Sequence, residues 1–385
     1  MTQYYETRQI AGCANIDTKR WDCTEAPAQV PTLPCHSPGR EQRDSSATNA
    51  MIDRARRRRA QPMKILIIGG TLFIGRELVA RLVAAGHDVW VMHRKAGHDL
   101  GEKVGNITAD RSDLDTVRQV LRRGNYDVVY DNVYDWQRGT PASQVEAAAL
   151  ACGDRLHRYV FMSSAGAYGG GLNHSEEDPL AADDYPNVYV SEKAASERAL
   201  LRLHERSGFP AVTLRPPFVY GPGNPFYREA FLWDRLRDGR PIILPDGGDR
   251  LMQFVHVKDL VWACMRVLEV PEAAGQAFNI ANAAPVMQAA FVEVAARVAG
   301  WPLRTVNIPR DRILAAGGQL VGANLYFGEF MDLPPITENV AKARRLLGFQ
   351  ATPFEDGLRE TCNWYLAQQR RPVDYNFEDT LLTRA

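Results

Sequence analysis

The apolar run Ile65-Leu66-Ile67-Ile68 ends in two glycines. An unbroken run of that length predicts a central parallel strand buried on both faces. Leu78, Val79, Leu82 and Val83 then recur at helical spacing, and Gly86 supplies a stop. The pattern predicts a second strand over Val89–Met92. Further strands are expected at Ile107–Ala109, Val128–Tyr130, Tyr159–Ser163 and Val212–Leu214, with helical segments between most of them. Alternation at this pitch predicts an α/β chain with a doubly wound parallel sheet. Right-handed crossovers place its ligand crevice beyond the carboxyl ends of the strands.

The rhythm breaks after Arg215, where Pro216-Pro217, Gly221-Pro222-Gly223 and Pro225 crowd together. The reading is a nucleotide-binding domain over 63–220 and a smaller substrate-binding domain over 221–385. About 254–282 is expected to return to the main sheet. Residues 1–62 are polar, without sustained periodicity, and end in a basic run of Arg54, Arg56, Arg57, Arg58 and Arg59. Such a segment buries too little apolar surface to offset its ordering entropy. It reads as a disordered leader, or as an extension ahead of a start at Met63; a tail for an anionic partner is the alternative.

Composition narrows the classes. Acidic and basic residues balance at 46 each, so charge does not argue for nucleic acid or membrane as a partner. No stretch approaches the roughly 20 apolar residues of a membrane span, and the N-terminus lacks an apolar signal core. Of the six cysteines, Cys152, Cys264 and Cys362 lie singly in helical or apolar segments and read as reduced thiols of a cytoplasmic protein. Cys13, Cys23 and Cys35 lack the close Cys/His pairing of a zinc site, so no metal is expected.

Two constellations carry chemistry. Gly69-Gly70-Thr71-Leu72-Phe73-Ile74-Gly75 follows the first strand and opens the first helix. A phosphate there needs open backbone N–H groups and no side chain blocking its approach. The middle position of this G-x-x-G-x-x-G loop is Leu72, where a glycine usually allows close approach. The second strand ends in His93-Arg94-Lys95, the place where a ribose is read. Arginine's planar fork suits a 2′-phosphate, which favours NADP and leaves NAD open. Further on, Tyr189-Val190-Ser191-Glu192-Lys193 puts a lysine one turn after a tyrosine, on one helix face. A cation so placed lowers a phenol's pKa and suits it to proton exchange. Upstream, an apolar strand runs into Ser163-Ser164, and a serine hydroxyl there can bond a reacting oxygen.

With GGTLFIG, SSAGAYG, YVSEK, LRPPFVYGPGN, FVHVKDL and AKARRLLGF on the page, the chain resembles an extended or atypical short-chain dehydrogenase/reductase of the NAD(P)-dependent sugar-nucleotide epimerase/dehydratase superfamily. The resemblance runs from Lys64 to about Tyr365. It implies a Rossmann-type doubly wound parallel sheet with a smaller C-terminal domain. It implies Tyr189 as acid/base, Lys193 tuning it and holding the nicotinamide ribose, and Ser164 as the catalytic serine. Gly69, Gly70, Thr71, Phe73, Ile74 and Gly75 would line the pyrophosphate. Asp110 and Arg111 would read adenine, while Pro216 and Phe218 flank the nicotinamide. A homodimer through the Tyr189/Lys193 helix is also implied.

Three positions depart from the pattern. Leu72 replaces the central glycine, Asp131-Asn132 stands where a small pair is usual, and Met252-Gln253 stands where a phosphate-binding arginine is common, with Arg250 offset. These departures resemble the branch that includes chloroplast stem-loop RNA-binding proteins. Hydride transfer at a hydroxyl/carbonyl carbon of a sugar-nucleotide or related small molecule is therefore expected, as epimerase or reductase. A 4,6-dehydratase is disfavoured because Ala165 and Gly166 follow Ser164 instead of an acid–base pair. A cofactor-binding, RNA-associated protein on the same fold is the alternative, and a cofactor-free scaffold a third.

Overall fold

The computed structural model describes residues 62–370 and 372–383. The expectations for residues 1–61, including the basic run and three of the cysteines, fall outside the described residues. Seven strands form one parallel sheet: β1 (Lys64–Ile68), β2 (Asp88–His93), β3 (Val104–Thr108), β4 (Val128–Asp131), β5 (Arg158–Met162), β6 (Ala211–Arg215) and β7 (Gln276–Asn279). Their order is β7-β6-β5-β4-β1-β2-β3, with every neighbour parallel. The winding direction reverses between β1 and β4, which opens a crevice above their carboxyl ends.

The run Ile65–Ile68 is central because both sheet faces need it. Ile65 and Ile67 join the core under helices α1 (Phe73–Ala84) and α5 (Val257–Arg266), with Leu78, Leu82, Leu260 and Cys264. Leu66 and Ile68 join the opposite core, with Val117 and Leu121 of α2 (Leu114–Gly124), Val145 and Ala148 of α3 (Ala142–Ala151), and Leu200 of α4 (Val188–Ser207). Each such buried aliphatic side chain contributes about 1.5–3 kcal/mol over an exposed one. The third strand starts three residues earlier than the apolar pattern predicts. It is a sheet edge, and of its five residues only Val104 is buried, so it leaves little hydrophobic signature.

Beyond β6 the chain builds a second core around Phe231, Trp233, Phe291, Tyr326 and Phe327. Short parallel pairs frame it: Phe218–Tyr220 with Phe254–His256, and Ile242–Pro245 with Thr305–Ile308. Ala343, Leu347 and Phe349 rejoin the first core. No helix of the described residues is long and apolar enough to cross a membrane. The three cysteines among them, Cys152, Cys264 and Cys362, are free thiols.

The glycine turn after β1 is fixed by backbone contact. Gly69 has φ +88°, which L side chains rarely adopt. A Cβ on Gly75 would sit 2.3 Å from the Gly69 carbonyl oxygen and 2.8 Å from the Gly70 Cα. Gly75→Ala is therefore expected to lower stability by about 1–3 kcal/mol in urea unfolding. Gly97→Ala, where a Cβ would meet nothing within 4 Å, is the control and should stay within about 0.5 kcal/mol of the parent.

Candidate active site

The loop residues Gly69 to Gly75 stand at the switch point, and α1 begins at Phe73. Leu72 tolerates its place because it is extended (φ −128°) and its side chain is 67% exposed. The left-handed position has moved to Phe73, with φ +37°. No side chain caps the helix N-terminus and no acidic residue occupies its first turn, so its amides stay open to an anion. The close Gly69–Gly75 approach leaves room for no Cβ, as a phosphate cradle requires. These residues fit a dinucleotide pyrophosphate. His93 and Arg94 end β2; His93 Nε2 pairs with Asn106 Oδ1 at 2.7 Å, and Arg94 reaches Asp135 only at 3.7 Å while largely exposed.

On α4, Tyr189, Lys193 and Glu197 follow one another at four-residue spacing and share one face. Asn187 caps this helix, accepting from the Val190 amide. Lys193 is buried, and its ammonium donates to the Met162 carbonyl at the end of β5 at 2.7 Å. Glu197 takes hydrogen bonds from Ser163, from Thr213 and from the Arg215 guanidinium, whose Nη2 lies 2.8 Å away. Ser163 thus faces the interior. Ser164 stays partly exposed and accepts from the Gly166 amide at 3.0 Å, and its hydroxyl and the Tyr189 ring both flank Gly166. The structure brings Ser164, Tyr189 and Lys193 together at the mouth of the crevice. Pro216 lies alongside, its carbonyl accepting from the Ala165 amide, and Phe218 opens the next strand.

Electrostatics corrects one sequence expectation. Burial raises the Tyr189 phenol, and the forces opposing it come from the Ser164 hydrogen bond and the Arg228 charge, with no resolved pull from Lys193. Lys193 is itself lowered to about 8, chiefly by burial; Asp131 and Glu197 hold it partly up.

Arg111 does not reach the crevice. Its side chain is buried, donating to Asp131 at 2.6 Å and to the Gln144 carbonyl. Tyr159 donates to the same Asp131 oxygen. This explains the unusual Asp131: it neutralises an arginine carried 20 residues upstream. Asp110 is at the crevice rim, but Ser112 and Arg138 already hold it, which draws its carboxyl down to about 2. Arg138 also pairs with Asp135. Arg250 is tied to Asp332.

Pattern reading missed an aromatic group over Tyr189. Trp136 stacks on the phenol ring at 5.0 Å with 15° between planes, and Phe330 stacks on Trp136 at 6.2 Å and 18°. Tyr134 and Phe226 meet Trp136 edge-on. The nearby Arg228 guanidinium lies over Phe226 and Phe218. The available signal was Trp136 itself, a large aromatic just beyond the carboxyl end of β4.

Comparison with known proteins agrees with this arrangement. Residues 65–281 match the family model described as the NAD dependent epimerase/dehydratase family. The chain is 34% identical over 344 residues to the chloroplast stem-loop binding protein of 41 kDa b from Arabidopsis thaliana, covering 83% of this chain and 84% of that one. It is 26% identical over 340 residues to a dTDP-4-dehydro-6-deoxy-D-allose reductase of Streptomyces sp, covering 80% and 97%. Among solved structures it resembles the UDP-glucuronic acid 4-epimerase of Bacillus cereus, with TM-score 0.63 and 19% identity over 79% of this chain and 99% of that one. A glycine cradle at the switch point, a Ser/Tyr/Lys mouth and a family match over more than half the chain lead to one conclusion: the chain belongs to the NAD dependent epimerase/dehydratase family, a nicotinamide-dependent enzyme of the short-chain dehydrogenase/reductase type.

Proposed function

We propose that the protein is a reductase or epimerase acting at a hydroxyl/carbonyl carbon, with Tyr189 as its acid/base. The observation that carries this reading is Ser164 and the Tyr189 ring side by side against Gly166 at the strand-end crevice, one helical turn from a buried Lys193. A bound nicotinamide cofactor supplies hydride to the carbonyl carbon in reduction and takes it back in oxidation. Tyr189 would give its phenol proton to the carbonyl oxygen, which stays on its carbon and becomes a hydroxyl. Ser164 donates to that oxygen while charge develops on it. Lys193 and Arg228 hold cationic charge near the phenolate that remains. The same residues would run in reverse for an alcohol, with Tyr189 taking the hydroxyl proton.

NADP is the preferred cofactor in this reading. Arg94 supports it, being largely exposed at the end of β2 and held only by a long contact to Asp135. The relatives support a small-molecule substrate, and a sugar-nucleotide is one class among them. Assembly as a homodimer and a cytoplasmic location complete the proposal. A second reading, an RNA-associated protein on the same fold, is favoured by the likeness to the chloroplast stem-loop binding protein. Binding of stem-loop RNA whose affinity falls steeply with salt would support it.

Tyr189→Phe is expected to lower turnover by about 10²–10⁴-fold while NADPH affinity stays near the parent value. Steady-state kinetics with calorimetric titration checks this, and full activity in the variant sinks the assignment. The same titration should show NADPH binding more tightly than NADH, with Arg94→Ala erasing the difference.

Lys193 gives a pH test. Its folded pKa, about 8, lies below the ordinary 10.5. Between those values the unfolded chain keeps a proton that the folded chain has released. Folding therefore strengthens as pH rises through this window, by up to roughly 3 kcal/mol from this group. Urea unfolding across pH 7–10.5 should show that rise in the parent relative to Lys193→Met. Parallel pH profiles for both proteins would refute it.

A further inference from the structure

Asp131 and Arg111 are both buried, and Asp131 Oδ2 accepts from Arg111 Nη2 and from the Tyr159 hydroxyl, each at 2.6 Å. A buried ion pair is often no more stabilising than apolar residues of the same volume. Stability alone therefore does not explain a carboxylate at this strand end. The other terminal nitrogen of Arg111 donates to the Gln144 carbonyl on α3, 3.0 Å away. Asp131 Oδ1 is buried as well, and among the described residues no donor reaches it.

Sheet register says what this carboxylate faces. Asp131 is the last residue of β4 and stands opposite Phe161 of β5. Opposed residues of neighbouring parallel strands share a face, here the one covered by α3 and α4. The Lys193 ammonium lies 4.8 Å from the centroid of that same Phe161 ring, and donates to the carbonyl of the next residue, Met162. The other charged groups around Lys193 have their own partners. On its helix, Glu197 is held by Arg215, Ser163 and Thr213, and Glu192 by the Tyr134 hydroxyl and the Thr140 amide. The Tyr134 and Tyr189 rings flank the ammonium at 5.6 and 5.8 Å. Arg111 opposes its charge, while Asp131 supports it more than Glu197 or Glu192 does.

We propose that Asp131 is a positioning residue of the active site: its carboxylate, aimed by Arg111 and Tyr159, keeps the Lys193 ammonium charged and seated on the Met162 carbonyl beside Tyr189. The role in catalysis rests on the reductase/epimerase reading, in which that ammonium serves the bound nicotinamide cofactor and the phenol. Without the carboxylate a buried lysine sheds its proton more readily, and the site loses its fixed cation at a lower pH. Arg111 acts in two senses at once. It holds the carboxylate in place, and its own charge cancels part of the field that reaches Lys193.

The test follows the Lys193 side chain by NMR in the cofactor-free, full-length chain labelled with ¹³C and ¹⁵N in its lysines, with Lys193→Met identifying the signal. The parent should titrate near pH 8. Asp131→Asn keeps the shape and an acceptor but removes the charge, and should weaken proton binding at Lys193 about tenfold or more. The double variant Arg111→Met/Asp131→Asn leaves neither charge of the pair behind, and should titrate between Asp131→Asn and the parent. It carries the test if Asp131→Asn alone does not fold. Tyr159→Phe loosens the same cluster without changing its charge and should titrate close to the parent. A Lys193 midpoint unmoved by loss of the carboxylate, or lowered as far by Tyr159→Phe, would overturn the inference. Calorimetric titration with NADPH across about pH 6.5–9.5 reads the role at the site. Its affinity should fall at a lower pH in Asp131→Asn than in the parent, and identical profiles would overturn that role. A parent that binds neither NADPH nor NADH removes the reductase/epimerase reading instead, and the cofactor-free titration still judges what Asp131 does to Lys193.

Discussion

The buried pair Glu197–Arg215 sets the geometry on which the active site depends. Glu197 rides on α4 and Arg215 on β6, and the carboxylate also gathers Ser163 from β5 and Thr213 from β6. A buried ion pair contributes little net stability, but losing one partner typically costs about 3–5 kcal/mol. Its value here is registration. Tyr189, Lys193 and Glu197 share a helix face, so the height of Glu197 against the sheet also sets the height of the other two. The Lys193 ammonium on the Met162 carbonyl is a second pin on the same strand end. Between them the two contacts hold the tyrosine level with Ser164, the residue after Ser163.

Two cations stand on different sides of that tyrosine. Lys193 approaches from within the sheet edge and is kept cationic by Asp131 and Glu197 against the cost of burial. Arg228 approaches from the segment after Tyr220, through aromatic surroundings. The phenol starts high because it is buried, and the two cations differ in what they answer to. One is governed by the internal carboxylates, the other by burial among aromatic rings and two backbone carbonyls. This is why a lysine four residues away did not predict the direction of the phenol's shift: spacing reports proximity, and burial decides the sign.

The sheet was legible where burial on both faces forces continuous apolar runs, as in Ile65–Ile68 and Val128–Tyr130. At β3 only its end was legible, because an edge position exposes Gly105 and Ile107 in part and Asn106 and Thr108 with them. The proximity of Ser164, Tyr189 and Lys193 was readable because a turn motif and a one-turn helical spacing are local. Arg111 was misread for the converse reason. Its partner, Asp131, lies on another strand, so strand-end position alone pointed it toward adenine. The stack over Tyr189 draws on Trp136, Phe226 and Phe330, three separate segments with no common period. Only the folded chain assembles it.

The link from Asn132 to Pro141 joins β4 to α3. Its Tyr134 hydroxyl and Thr140 amide both donate to Glu192 on α4. Between those anchors it extends Trp136 over the reacting end of the crevice and Arg138 to Asp110 at the far end. A single short insertion or deletion there would disturb both ends at once. The link therefore works as a strut with one anchor and two arms, so a change in its length moves Trp136 and Arg138 together.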